Sequence, residues 1–146
     1  MADKLYPLPV FHFSVDFGGE KLGFTEVAGL TQENQAIEYR SGDYPEYSSI
    51  KMPGLRKFNN ITLKRGIMKS DNKFFAWLNT GMKLSQVDRK DLTISLLNEK
   101  HEPVMSWKVS RAFPVKVEGP QLKAMGNEVA IESIEIAHEG LVVENL

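Results

Sequence analysis

The sequence predicts a mainly β protein: a small β-barrel or sandwich with one flanking α-helix and one long extended loop or hairpin. Three observations carry that prediction. Apolar residues alternate with period two in several short runs, as they do in strands with one buried face. Only one run has helical spacing. Glycine and proline punctuate the chain between the runs, where turns are needed. At 146 residues and 42% hydrophobic content, the chain can bury one core and is short for two ordinary domains. A single domain over residues 1–146 is expected.

Phe11, Phe13, Val15 and Phe17 alternate with His12, Ser14 and Asp16, and Gly18-Gly19 then turns the chain. Phe24, Val27 and Leu30 lead into an extended stretch from Thr31 to Arg40, whose first half, Thr31 to Gln35, is polar on both faces. A strand polar on both faces has no core to hold it. It is therefore expected at an edge, wet on both sides, or paired with another chain. Ser41 to Lys57 contains Gly42, Pro45, Pro53 and Gly54 among Tyr44 and Tyr47. It reads as a long loop or hairpin excursion, and loops of that length are usually functional or disordered.

Asn60 to Met68 resumes a strand, with Ile61 and Leu63 inward. The helix is expected from about Asp71 to Met82. Ser70 is its N-cap, Phe74 and Leu78 stand at i and i+4 beside Phe75 and Trp77, and Gly81 is its stop. Leu92 to Leu97 and Val104 to Val109 form a hairpin through Asn98 to Pro103, after which Pro114, Gly119 and Pro120 break the chain. A final strand restarts at Gly126-Asn127. There Val129 and Ile131 lie on one parity and Ile134 and Ile136 on the other, so burial of all four predicts a bulge at Glu132-Ser133.

Eighteen basic residues against nineteen acidic ones give a formal charge of −1, which supplies no net attraction to nucleic acid or an anionic membrane. With no cysteine, a disulfide framework, a thiolate metal site and a cysteine nucleophile are all excluded. Met1 to Pro9 shows neither a basic n-region nor an apolar h-region, so no secretory signal is expected. The longest apolar run, Phe74 to Leu78, falls far short of a membrane span of roughly 20 residues. A soluble protein made and folded in the cytoplasm is the expectation.

Chemistry is equally sparse. His12, His101 and His138 lack the close spacing of a zinc motif, and are read as isolated histidines rather than a metal site. No G-x-S-x-G elbow is present, and Gly18-Gly19 with Gly23 lacks both phosphate-loop spacings. Lys57, Lys64, Arg65 and Lys69 are basic near Phe58 and the Phe74, Phe75 and Trp77 cluster, but helical spacing assigns that cluster to the core rather than to a nucleic-acid surface. No catalytic, cofactor-binding or metal residue is assigned, and the chain is read as a non-enzyme without cofactors.

A series of strings carries a resemblance. Phe24-Thr25-Glu26-Val27-Ala28-Gly29-Leu30, Ile37-Glu38-Tyr39-Arg40, Met52-Pro53-Gly54-Leu55 and Ile61-Thr62-Leu63-Lys64-Arg65-Gly66 resemble, in order and spacing, successive motifs of the phage tail tube protein family. Gly119-Pro120 and the ending from Gly126 through Leu141 are similar to its C-terminal signature. The resemblance spans about Phe11 to Leu141. One departure lies in the helix, where Phe74 and Phe75 stand in place of an early tryptophan.

The resemblance implies an inner tube subunit of a contractile injection system, with six copies per ring and rings stacked into a hollow tube driven into a target cell. Implied partners are further copies of the chain, a sheath protein, baseplate and tube-terminating proteins, and cargo or DNA passing through the lumen, with no membrane segment. The location implied is a phage tail or phage-tail-like particle, assembled in the cytoplasm and in some cases released. Tyr44, Tyr47, Met52, Pro53 and Leu55 are expected to make inter-subunit stacking contacts, since Tyr and Met are common interface anchors. Gln32, Asn34, Glu38 and Arg40 are expected on a lumen or inter-subunit strand. The rival readings are a tube-initiator or baseplate paralogue forming a single ring, and a monomeric ligand-binding β-barrel.

Overall fold

The computed structural model describes residues 6–69, 71–80, 82–83 and 86–145. Strands β1 (Phe13–Phe17) and β2 (Glu20–Leu22) form the first hairpin. It turns through Gly18 and Gly19, both at positive φ, where only a residue without Cβ is unstrained. β3 (Glu26–Ala28) follows, then β4 (Gln32–Tyr39), β5 (Ile50–Phe58) and β6 (Ile61–Gly66). After the helix α1 (Lys73–Thr80) come the short pair β7 (Met82–Lys83) and β8 (Gln86–Val87). β9 (Lys90–Leu97), β10 (Pro103–Glu118), β11 (Ile131–Ala137) and β12 (Gly140–Asn145) complete the chain.

Eight strands make one antiparallel sheet in the order β2-β1-β9-β10-β11-β6-β3, with β12 also paired to β10. β10 is the spine. Its first half pairs β9 and β12, and its second half pairs β11. Between the halves the β9 register shifts at Val109/Ala112, and Arg111 adopts φ 53°, unusual for a residue with a Cβ. Asp91 fixes that bend by accepting the Arg111 N–H at 2.9 Å, while Glu139 holds the Arg111 side chain at 2.7 Å. The expected break at Pro114 does not end the strand. β10 passes through Pro114 to Glu118, and the ladder to β11 absorbs the missing N–H with a register shift between Pro114 and Lys116.

Bent at β10, the sheet brings its two halves onto one core: Val15, Leu92, Ile94 and Val109 from one, Ile61, Leu63, Ile134 and Ile136 from the other. Among the described residues no ladder joins β2 to β3, so the sheet stays open rather than closing as a barrel. The mainly β class with one flanking helix is as the sequence predicts. No helix of the described residues is long and apolar enough to cross a membrane.

The helix is shorter than the Asp71 to Met82 expected, and the cap and stop assigned to Ser70 and Gly81 lie outside the described residues. Asp71 accepts the Lys73 N–H at its first turn, at 3.3 Å. Phe74 and Trp77 are buried while Phe75 faces outward. Phe17 packs edge-on to Trp77 at 5.3 Å and Phe24 stacks on Phe74 at 5.9 Å. Each such aromatic contact contributes about 0.5–1.5 kcal/mol beyond its buried area.

β11 corrects the expected bulge. Its burial alternates regularly through Glu132, Ile134 and Ile136, while Val129 stays outside. The residue that takes the place of the apolar partner is Glu132, directly opposite Arg65 in the β6 ladder. Arg65 Nε donates to Glu132 at 2.7 Å and Nη1 to Asp71 at 3.2 Å, and the guanidinium lies 4.2 Å from the Phe74 ring centroid. Burial works against the Arg65 charge, but the hydrogen bonds to Glu132 and Asp71 outweigh it and hold the guanidinium above its ordinary value. The buried ion pair thereby anchors the start of α1 to the sheet.

Candidate functional site

The β4–β5 hairpin contributes little to the core: of its two strands only Phe58, at the root, packs against it. It forms a separate two-stranded sheet, and all eight residues of β4 are exposed. In β5 only Gly54 and Phe58 are partly covered. The stretch read as polar on both faces is thus wet on both faces, and the Ser41 to Lys57 excursion resolves into a hairpin whose return leg is β5. An isolated two-stranded hairpin is at best marginally stable in water.

Register gives the arm two unlike faces. Ile37 opposes Met52 and Tyr39 opposes Ile50, so these four side chains share one face by the period of two. They remain 45–53% exposed. Ala36 opposes Pro53 and Glu38 opposes Lys51 on the other face, and beyond the bulge Asn34 opposes Arg56 and Gln32 opposes Phe58. Gln32, Asn34 and Glu38 therefore line one polar face of β4. The Glu38–Lys51 ion pair at 3.8 Å is open to solvent and adds little rigidity.

The sequence-expected residues fall differently within this frame. Tyr47 and Leu55 are 98% and 80% exposed, Met52 sits on the apolar face, and Pro53 sits on the polar one. Tyr44 is half-buried against Tyr39, edge-on at 6.2 Å. Arg40 lies beyond the end of β4. Its guanidinium donates to the carbonyls of Glu46 at 3.1 Å and Tyr44 at 3.2 Å, so it shapes the tip loop instead of extending the polar face.

Two glycines shape the arm. Gly54 sits where β5 has two residues against Gln35; a Cβ there would stand 2.8 Å from the Gln35 carbonyl oxygen and 2.9 Å from Ile37. Gly29, at φ 96°, passes so close to the returning leg that a Cβ would stand 2.3 Å from the Asn60 oxygen. The root is pinched while the blade projects. Sequence reasoning missed Ile37, Tyr39 and Ile50 as an exposed apolar face, because the bulge at Gly54 decides which side of β5 they meet.

Away from the arm, His12 and His101 are hydrogen-bonded to each other, and His138 sits between the Gly140 and Asn59 carbonyls at 3.1 Å each. The reading of three isolated histidines thus holds for one of them. Among the described residues no group of three His, Asp or Glu side chains gathers to hold a metal.

A core complete in itself, carrying an arm with an uncovered apolar face, is the build of an assembly subunit. The chain belongs to the tail tube protein family: a family model described as T4-like virus tail tube protein gp19 matches residues 9–142. The fold is similar to a chain in the cryo-EM structure of an extracellular contractile injection system, PVC sheath-tube complex in the extended state. The identity there is 37%, the TM-score 0.88, and the match covers 97% of this chain and 93% of that one. A chain in the structure of the anti-feeding prophage tube terminating cap matches with the same values. Hcp1 from Flavobacterium johnsoniae shares the fold at 12% identity and TM-score 0.58, over 92% of this chain and 96% of its own. No curated protein matches the sequence.

Proposed function

We propose that this chain is a single-domain subunit of the inner tube of a contractile injection system. Six copies form a ring, and rings stack into a hollow tube within a sheath, between a baseplate and a terminating protein. The role is structural and needs no catalytic group. One observation carries the reading: the β4–β5 arm presents Ile37, Tyr39, Ile50 and Met52 to solvent on a hairpin off the main sheet. An exposed apolar face of this kind marks an interaction site. Family membership supplies the partner, a further copy of the chain.

In this reading Tyr47, Met52 and Leu55 make the principal contacts with a neighbouring subunit or ring, Pro53 stiffens the arm, and Tyr44 braces Tyr39 from behind. Gln32, Asn34 and Glu38 face the lumen or a neighbouring strand, and Arg40 holds the tip loop that presents Tyr47. Cargo or DNA would pass along the polar face. Assembly takes place in the cytoplasm before any release of the particle.

Negative-stain electron microscopy of the purified protein, alone and co-expressed with the neighbouring baseplate genes, tests this directly. Stacked tubes with an open lumen are expected. Single rings that never stack would favour the initiator paralogue, and monomers under both conditions would overturn the proposal. In the Tyr47→Asp/Leu55→Asp variant the subunit should remain folded and fail to grow tubes; an unchanged tube yield would remove the arm from the interface.

A further inference from the structure

His12, just before β1, and His101, in the β9–β10 turn, are 89 positions apart in sequence, yet His12 Nε2 lies 2.7 Å from His101 Nδ1. The rings are 4.8 Å apart. A third contact fixes the protons. His12 Nδ1 is 3.1 Å from the Asn98 carbonyl oxygen, and a carbonyl can only accept. Nδ1 therefore carries the hydrogen, the Nε2 of neutral His12 is bare, and His101 Nδ1–H is the donor between the rings.

The pair tolerates one added proton. With His12 doubly protonated, its Nε2–H donates to His101, whose remaining hydrogen moves to Nε2, so both contacts of His12 survive. A second proton does not fit. Two imidazolium rings set N–H against N–H at this distance, and like charge adds repulsion. Histidine is the side chain whose unperturbed charge change falls between about pH 5 and 8.

The surroundings show what the contact holds. The turn closes on itself through Asn98, whose side-chain oxygen accepts from Lys100 and Glu102 N–H, both at 2.9 Å, with His101 at φ 64°. Leu97 N–H bonds the His12 carbonyl at 2.9 Å. A groove of about 910 Å³ lies alongside, and its lining includes Tyr6, Leu8, Phe11, Glu99, Lys100 and Glu102. Besides His12, the charged and titratable groups of that lining are the Glu99 and Glu102 carboxylates, the Lys100 ammonium and the Tyr6 phenol.

We propose that His12 and His101 form an acid-operated latch, closed while the pair carries at most one added proton and opened by the second. Opening parts His101 from His12 and loosens the tip of the β9–β10 turn beside the groove, while the Leu97 N–H bond to the His12 carbonyl keeps the base of the turn on β1. The latch does not depend on the tube reading, since it is internal to one chain.

Amide hydrogen exchange by mass spectrometry on the full chain tests it, because the method reads monomers and assemblies alike. After correction for intrinsic rates, the peptide spanning Leu97 to Glu102 should exchange several-fold faster at about pH 5 than at about pH 7.5. The His12→Ala and His101→Asn variants, the second chosen because Asn tolerates positive φ, should exchange at one rate at both pH values. The wild type showing no acid step, or either variant keeping it, would overturn the latch. His138 is intact in both variants, so a step arising there would survive in them and be recognised.

Discussion

Replacing Arg65 with methionine removes the cation from a site where its two carboxylate partners remain. The side chain of Glu132 is 6% exposed and that of Asp71 22%. Asp71 can turn to water, but Glu132 is left as an uncompensated buried charge. Breaking a buried pair in this way costs about 3–5 kcal/mol. At about 2–4 °C per kcal/mol for a chain of this size, the melting temperature should fall by about 6–20 °C. The double variant Arg65→Met/Glu132→Leu should recover most of that loss, because an apolar pair of similar volume is commonly as stable as the ion pair. Arg65 Nη2 also has no hydrogen-bond partner among the described residues, so the native pair carries a penalty that the apolar pair lacks. Urea unfolding of the dispersed subunit, followed by the fluorescence of Trp77 and Trp107, measures all three proteins. A single variant costing under about 1 kcal/mol, or a double variant no better than the single, would refute the claim that a buried ion pair fastens α1 to β6 and β11.

Acid should act through the same cluster. The hydrogen bond from Arg65, opposed by partial burial, holds the Asp71 carboxyl below its ordinary value. Its contribution is full above the ordinary aspartate value of about 3.9 and is lost as pH falls through the lower folded value. Wild type should therefore lose stability more steeply below about pH 4 than Asp71→Asn, with parallel curves above it, as urea midpoints across that range would record. Gly54→Ala should disturb the arm alone, because its Cβ would collide with Gln35 and Ile37; tube yield should drop while the melting temperature of the core holds. Gly29→Ala adds strain of about 1–2 kcal/mol from positive φ and a contact of 2.3 Å with the Asn60 backbone, so it should both destabilise the subunit and redirect the arm, read by calorimetry and by electron microscopy.

Period-two alternation made most of the sheet legible. The run from Phe11 to Phe17 predicts β1 with Val15 and Phe17 inward, although Phe11 lies before the strand and is exposed, and Ile61 with Leu63 predicts β6, because side-chain direction in a strand depends only on neighbours two positions apart. The spacing of Phe74 and Leu78 found the helix for the same local reason, although it is Trp77 rather than Leu78 that joins Phe74 in the core. The polarity of Thr31 to Gln35 announced a segment outside the core. Where the pattern failed, a distant partner had intervened. Glu132 occupies an apolar parity because Arg65, 67 positions away in sequence, meets it across the ladder. β10 runs through Pro114 because the β11 ladder shifts register around it.

The sequence by itself determined the class, the single helix, the core residues of β1 and β6, and a family resemblance spread over several short motifs. Composition alone set aside disulfides and cysteine chemistry. Only the tertiary structure decided that the sheet stays open, that Arg111 bends it, that one side of the arm is apolar and bare, and that His12 meets His101. Each of these rests on a contact between residues far apart in the chain or on a register shift, and neither leaves a mark in local periodicity.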